Sequence, residues 1–82
     1  MRSFLLVYDR FLFIADEGNG ARAKPQIFRS FPDGSQMISL IDEKLEQPSD
    51  LTVDYIKRRL YWVDRSYDHV ESCDYHGSRR LD

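Results

Sequence analysis

The sequence predicts an all-β chain, and three observations carry that prediction. Apolar residues fall in runs of up to five bounded by Gly, Pro, Asp and Ser, which is the pattern of short strands. The runs recur along the chain in the same order. They also lack strict alternation: Phe11-Leu12-Phe13-Ile14-Ala15 and Leu60-Tyr61-Trp62-Val63 present apolar groups to both faces of a strand, so each sheet requires cover on both sides.

Taken in order, the strands fall at Phe4 to Tyr8, Phe11 to Asp16, Gln26 to Phe31 and Met37 to Ile41. They continue at Leu51 to Tyr55, Leu60 to Asp64 and His69 to Asp74, with a truncated start of an eighth at Arg79 to Leu81. Asp33-Gly34 and His76-Gly77 mark hairpin turns, because Gly accepts positive φ without a Cβ clash. Gly18-Asn19-Gly20-Ala21-Arg22-Ala23-Lys24-Pro25 is dense in turn formers and reads as a loop. Only Ser39 to Glu46 competes as a helix, and the β-branched residues and Pro48 around it argue against one.

The chain repeats internally. Phe11-Leu12-Phe13-Ile14-Ala15-Asp16 lies over Arg59-Leu60-Tyr61-Trp62-Val63-Asp64 at an offset of 48, and Ile27 through Ser35 lies over Val70 through Ser78 at an offset of 43. The difference of five is absorbed by the loop at 17–25, so the basic unit is about 43 residues. Four strands in such a unit, covered on both faces, describe a blade of a β-propeller, with a sandwich fragment as the alternative. The first blade spans 1–46 with its insertion at 17–25, and the second spans 47–82, truncated in its fourth strand.

At Leu51-Thr52-Val53-Asp54, Arg59-Leu60-Tyr61-Trp62-Val63-Asp64, Val70-Glu71-Ser72 and Asp74-Tyr75-His76-Gly77-Ser78-Arg79-Arg80 the chain resembles the low-density lipoprotein receptor class B repeat. That family's hallmark is Tyr-Trp-Thr-Asp. Val63 occupies the Thr position, and both are β-branched residues suited to a strand. The upstream unit matches more loosely, with Phe13-Ile14-Ala15-Asp16 at the hallmark and Asp33-Gly34-Ser35 closing its third strand. Pro48 fits the family's Pro-x-Gly-Leu start of a blade, although Asp50 stands where Gly is usual. The wording is most similar to lipoprotein-receptor-related proteins and vitellogenin receptors.

The resemblance implies about two blades of a six-bladed propeller in the ectodomain of a single-pass endocytic or signalling receptor. It also implies neighbouring blades, epidermal-growth-factor-like modules, and protein or lipoprotein ligands as partners. The chain is then expected to be a piece of a longer protein, with no enzymatic activity, cofactor or metal. A soluble propeller of another family, such as a lactonase-like enzyme, is the competing reading.

Composition bounds these options. Of 82 residues, 41% are apolar and 32% charged, enough for one small domain at most. The longest apolar run is the five residues from Phe11 to Ala15, far short of the roughly 20 a membrane-spanning helix needs. Met1-Arg2 followed by Phe4, Leu5, Leu6 and Val7 begins like a secretory leader, but Asp9 and Arg10 interrupt it. Twelve Lys and Arg against fourteen Asp and Glu give a net charge of −2, which draws the chain neither to nucleic acid nor to anionic membrane.

The residues with chemistry divide into structural and functional candidates. Phe13, Ile14, Ala15, Asp16, Tyr61, Trp62, Val63, Asp64, Gly34 and Gly77 form the repeat motif. Asp16 and Asp64 recur at equivalent positions, which suits a structural carboxylate better than a catalytic pair. His69, Cys73 and His76 are metal-ligand types, but His69 and Cys73 stand roughly 13 Å apart on a strand. His69 and His76 are instead candidate pH sensors, since histidine charges in the mildly acidic range. Of two basic clusters, Lys57-Arg58-Arg59 and Arg79-Arg80, the first reads as solvated turn charge, with acidic ligand or heparin contact as the alternative. Cys73, the single cysteine, reads as a buried thiol or a partner for a cysteine outside the chain.

Overall fold

The computed structural model describes residues 3–82; Met1 and Arg2, which open the leader-like start, lie outside the described residues. Seven strands form: β1 (Ser3–Tyr8), β2 (Phe11–Asp16), β3 (Gln26–Ser30), β4 (Ile38–Ile41), β5 (Pro48–Asp54), β6 (Arg59–Asp64) and β7 (His69–Asp74). They make two antiparallel meanders, a four-stranded sheet in the order β1-β2-β3-β4 and a three-stranded sheet in the order β5-β6-β7. Leu81 adds an isolated bridge to Ser72, each N–H donating to the other's carbonyl at 2.8 Å. The fourth strand of the second sheet is thus present only as that bridge, at the last residue of the Arg79 to Leu81 stretch.

Five strand boundaries differ from the sequence expectation; β1 starts at Ser3 and β5 ends at Asp54, each one residue earlier than expected. Phe31 leaves β3 because its N–H donates to Ser35 O at 2.9 Å and closes the turn around Gly34. Met37 precedes β4. β5 starts at Pro48 instead of Leu51: Pro48 and Ser49 face Asp64 and Val63, and a bulge then shifts the register before Thr52. Pro is tolerated there because the first residue of a strand need not donate. Asp50 inside the bulge has φ 51, the left-handed conformation that favours the Gly usual at that place.

Hydrophobic burial joins the sheets face to face. Phe13, Ala15, Ile27, Ile41 and Leu45 of the first unit meet Leu60, Trp62, Cys73 and Tyr75 of the second in one core cluster. Alternation along β1 turns Phe4, Leu6 and Tyr8 toward this core, while Leu5 and Val7 on the reverse face are 66% and 63% exposed. β5 packs on β1 and β2 without pairing to either. The shortest dimension, 18 Å, fits two layers whose backbones pack about 10 Å apart.

The antiparallel order creates two distinct ends. The β1–β2, β3–β4 and β5–β6 turns and the turn after β7 gather at a hairpin end. The β2–β3 loop, the 42–47 linker and the β6–β7 turn gather at a linker end.

Candidate functional site

The junction between the sheets is built around Asp64. This last residue of β6 is fully buried, and its carboxylate accepts four backbone N–H groups. Oδ1 takes those of Ser66 at 3.1 Å, Tyr67 at 3.2 Å and Gln47 at 3.2 Å, and Oδ2 takes that of Glu46 at 2.8 Å. Two donors come from the β6–β7 turn and two from the linker that leaves the first sheet. Arg65 N–H donating to Gln47 O at 3.1 Å and Ser66 Oγ donating to Gln47 Oε1 at 2.8 Å reinforce the link. The carboxylate is thus occupied by backbone donors from two segments of the chain.

The same turn chemistry recurs at the hairpin end. Asp54 Oδ1 accepts from Ile56 at 3.0 Å and Lys57 at 3.1 Å, and the turn ends in Arg58 at φ 56, as the Asp64 turn ends in Asp68 at φ 57. Asp16 does less, accepting Gly18 N–H at 2.7 Å where the inserted loop begins. The residues that follow the two hallmark carboxylates, Glu17 and Arg65, pair across the sheets at 2.8 Å.

Of the remaining motif residues, Phe13, Ala15 and Trp62 are fully buried, while Ile14, Tyr61 and Val63 lie half-buried on the reverse faces. Phe13 meets Tyr75 across the junction with ring centroids 5.5 Å apart. The two turn glycines differ. Gly77, at φ 84, lies so close to β4 that a Cβ would meet Leu40 O at 2.6 Å, whereas a Cβ on Gly34, at φ 88, would meet nothing within 4 Å. Arg29 closes the same seam, donating to Tyr75 O and lying 4.3 Å from the Phe11 ring centroid.

Arg80, Glu71 and His69 form a charged cluster that sequence reasoning did not assemble. Arg80 Nε and NH2 donate to Glu71 Oε1 at 2.7 Å and Oε2 at 3.1 Å, and NH1 and NH2 donate to the carbonyls of Glu43 and Lys44 at 2.7 Å each. His69 Nε2 lies 3.0 Å from Glu71 Oε2. Burial drives the Glu71 carboxyl pKa up, yet hydrogen bonds from Arg80 and His69 outweigh it and hold the carboxyl below its ordinary range. An Arg two residues before the end of the chain gives no local signal of this role, because its partners lie 9 to 37 positions away.

His69, Cys73 and His76 are not brought together. His69 opens β7 beside Glu71, and His76 sits beyond its other end with Nδ1 3.4 Å from Arg29 NH1. Cys73 is a free, fully buried thiol whose pKa burial pushes up to about 11. Among the described residues no group of three or more His, Cys, Asp or Glu side chains is placed to hold a metal ion. No described helix is long and apolar enough to cross a membrane. An open, polar cleft of about 570 Å³ lies between the β2–β3 loop and the linker at Glu17, Lys24, Glu46 and Gln47.

Comparison with known proteins agrees with this architecture. No family model matches the chain. Low-density lipoprotein receptor-related protein 5 of Mus musculus is 41% identical over 58 residues, or 71% of this chain, and the Homo sapiens protein gives the same values. The chain spans 4% of the length of these curated relatives. Among solved structures, a chain in the crystal structure of a nidogen/laminin complex superposes with a TM-score of 0.77 at 22% identity, covering 96% of this chain and 28% of that one. The repeat carrying Asp16 and Asp64, the paired antiparallel blades and the receptor relatives lead to one assignment: the chain belongs to the low-density lipoprotein receptor class B, or Tyr-Trp-Thr-Asp, repeat family, and its two sheets are β-propeller blades.

Proposed function

We propose that the chain is a non-catalytic part of the ectodomain of an endocytic lipoprotein-receptor-like protein, contributing two blades, 1–46 and 47–82, to a six-bladed propeller. The observation that carries this reading is the Asp64 junction, in which a buried carboxylate is devoted to fixing one blade on the next. Exposed Leu5 and Val7 on one outer face and Val70 on the other supply apolar surface for further blades. Epidermal-growth-factor-like modules are the expected flanking partners, and protein or lipoprotein the expected ligand. Nucleic acid and direct membrane contact play no part. The parent protein works on the extracellular side of the cell surface and in endosomes.

Under this reading His69 and His76 remain the candidate pH-sensing residues, His69 beside Glu71 and His76 beside the Arg29 guanidinium. The test is a chimera in which this chain replaces the matching repeats of low-density lipoprotein receptor-related protein 5. Surface display and ligand uptake equal to the parent's support the reading. Retention inside the cell despite a folded propeller would sink it.

A further inference from the structure

The charges are not spread evenly over the two ends. Arg10, Arg29, Lys57, Arg58, Arg59 and Arg79 gather at the hairpin end against Asp9, Asp33, Asp54 and Asp74, while carboxylates outnumber cations at the linker end. Ion pairing follows the same division. Of the linker-end cations Lys24, Arg65 and Arg80 have a carboxylate partner while, among the described residues, Arg22 and Lys44 do not, and among the described residues none of the six hairpin-end cations has one.

Three of the four hairpin-end carboxylates, Asp33, Asp54 and Asp74, are already engaged by the backbone. Asp33 accepts Ser35 N–H at 2.9 Å, Asp54 accepts those of Ile56 and Lys57, and Asp74 accepts those of His76 and Ser78 at 2.9 Å each. N–H dipoles partly offset the charge of these three, and the neighbouring cations make no ion pair with them.

Apolar side chains stand among those cations. Tyr55 and Ile56 at the tip of the β5–β6 turn are 66% and 79% exposed. Lys57 and Arg58 follow directly, and Arg58 lies 5.1 Å from the centroid of the Tyr75 ring. Tyr75 is buried and its Oη has no hydrogen-bond partner. A cationic rim around aromatic and aliphatic anchors has the composition of a protein-binding surface.

We propose that this hairpin end is a docking face for an acidic polypeptide segment, with Lys57 and Arg58 meeting its carboxylates and Tyr55 and Ile56 its apolar side chains. A sulfated glycan is less well served, because the four interspersed aspartates dilute the cation density and the exposed Ile56 offers it nothing. The proposal deepens the receptor reading by naming a face and a partner chemistry, but it makes its own prediction. A chimera that folds and displays normally yet ignores acidic peptide removes this inference alone.

The test uses the full chain, immobilised, with three probes: a short peptide alternating glutamate and leucine, its lysine–leucine counterpart, and a heparin oligosaccharide. The acidic peptide binds best, and its affinity falls with added salt and drops about tenfold in Lys57→Gln/Arg58→Asn. Asn is chosen at position 58 because φ there is 56, a conformation Asn tolerates. Lys57→Gln alone, which leaves that turn residue in place, weakens binding about threefold. Lys44→Gln at the linker end leaves it unchanged. Equal loss in the Lys44 variant, tighter binding of heparin or of the basic peptide, or no binding by any probe would overturn the proposal.

Discussion

Arg80 holds Glu71 in a two-pronged grip, Nε on one carboxylate oxygen and NH2 on the other, while the remaining N–H groups reach the linker carbonyls of Glu43 and Lys44. A planar guanidinium is needed for this geometry, since an ammonium cannot span four acceptors in two directions. The Glu71 side chain is 7% exposed and that of Arg80 is 21% exposed. Arg80→Ala is therefore expected to cost about 2–3 kcal/mol, somewhat less than breaking a fully buried pair. Arg80→Lys should recover less than half of the loss in urea melts. Full recovery by Lys would mean that charge alone matters.

The same pair sets a pH dependence. Glu71 is held below its ordinary value of 4.5 in the folded chain, so its contribution is fully present above that value and disappears as pH falls through the depressed one. The stability gap between parent and Glu71→Gln, measured in a His69→Asn background, should stay constant above pH 4.5 and close below it. A gap that widens on acidification contradicts the assignment.

Asp64 and Asp16 occupy equivalent places and carry unequal work. Asp64 serves four N–H groups from full burial, Asp16 a single one. Asp64→Ala should destabilise by about 3 kcal/mol or more, because it strands buried donors, and Asp16→Ala by about 1 kcal/mol. Comparable losses would show that the junction is not where the carboxylate acts.

Substituting each turn glycine separates backbone conformation from contact. Both have positive φ, so Ala costs about 1–2 kcal/mol at either position. Only at Gly77 does the added methyl also collide with Leu40 O. Gly77→Ala should lower the melting temperature clearly more than Gly34→Ala, and parity would place the two blades farther apart than they are.

Burial and the raised pKa of about 11 make Cys73 unreactive in the folded state. Alkylation with iodoacetamide near neutral pH should proceed only as fast as the chain opens and accelerate with urea along the unfolding curve. Prompt labelling without denaturant would remove Cys73 from the core.

What the sequence made legible was whatever repeats or is local. Strand positions followed from apolar runs, and the turns at Gly34 and Gly77 from their dipeptides. The start of β5 was read late because Pro48 looks like a breaker, and only pairing with Asp64 shows it to be the first strand residue. Arg29 drew no reading of its own and Arg80 only that of one member of a basic pair, since their partners Tyr75, Glu43 and Lys44 become neighbours only when two sheets stack. The exclusivity of Asp64 was likewise invisible, because half of its donors lie in the linker and not in its own hairpin.

A closed ring of wedges tolerates little angular error, because every mis-set wedge is added to the next. Asp64 acts as a gauge block in this sense: it sets the pitch between successive wedges by measuring linker against turn. The loop at 17–25 joins β2 to β3 and supplies none of the four donors. Residues can therefore be added beyond Glu17, whose pair with Arg65 crosses the sheets, without altering the pitch, and the same spacing that preserves the ring leaves the rest of that loop free to vary.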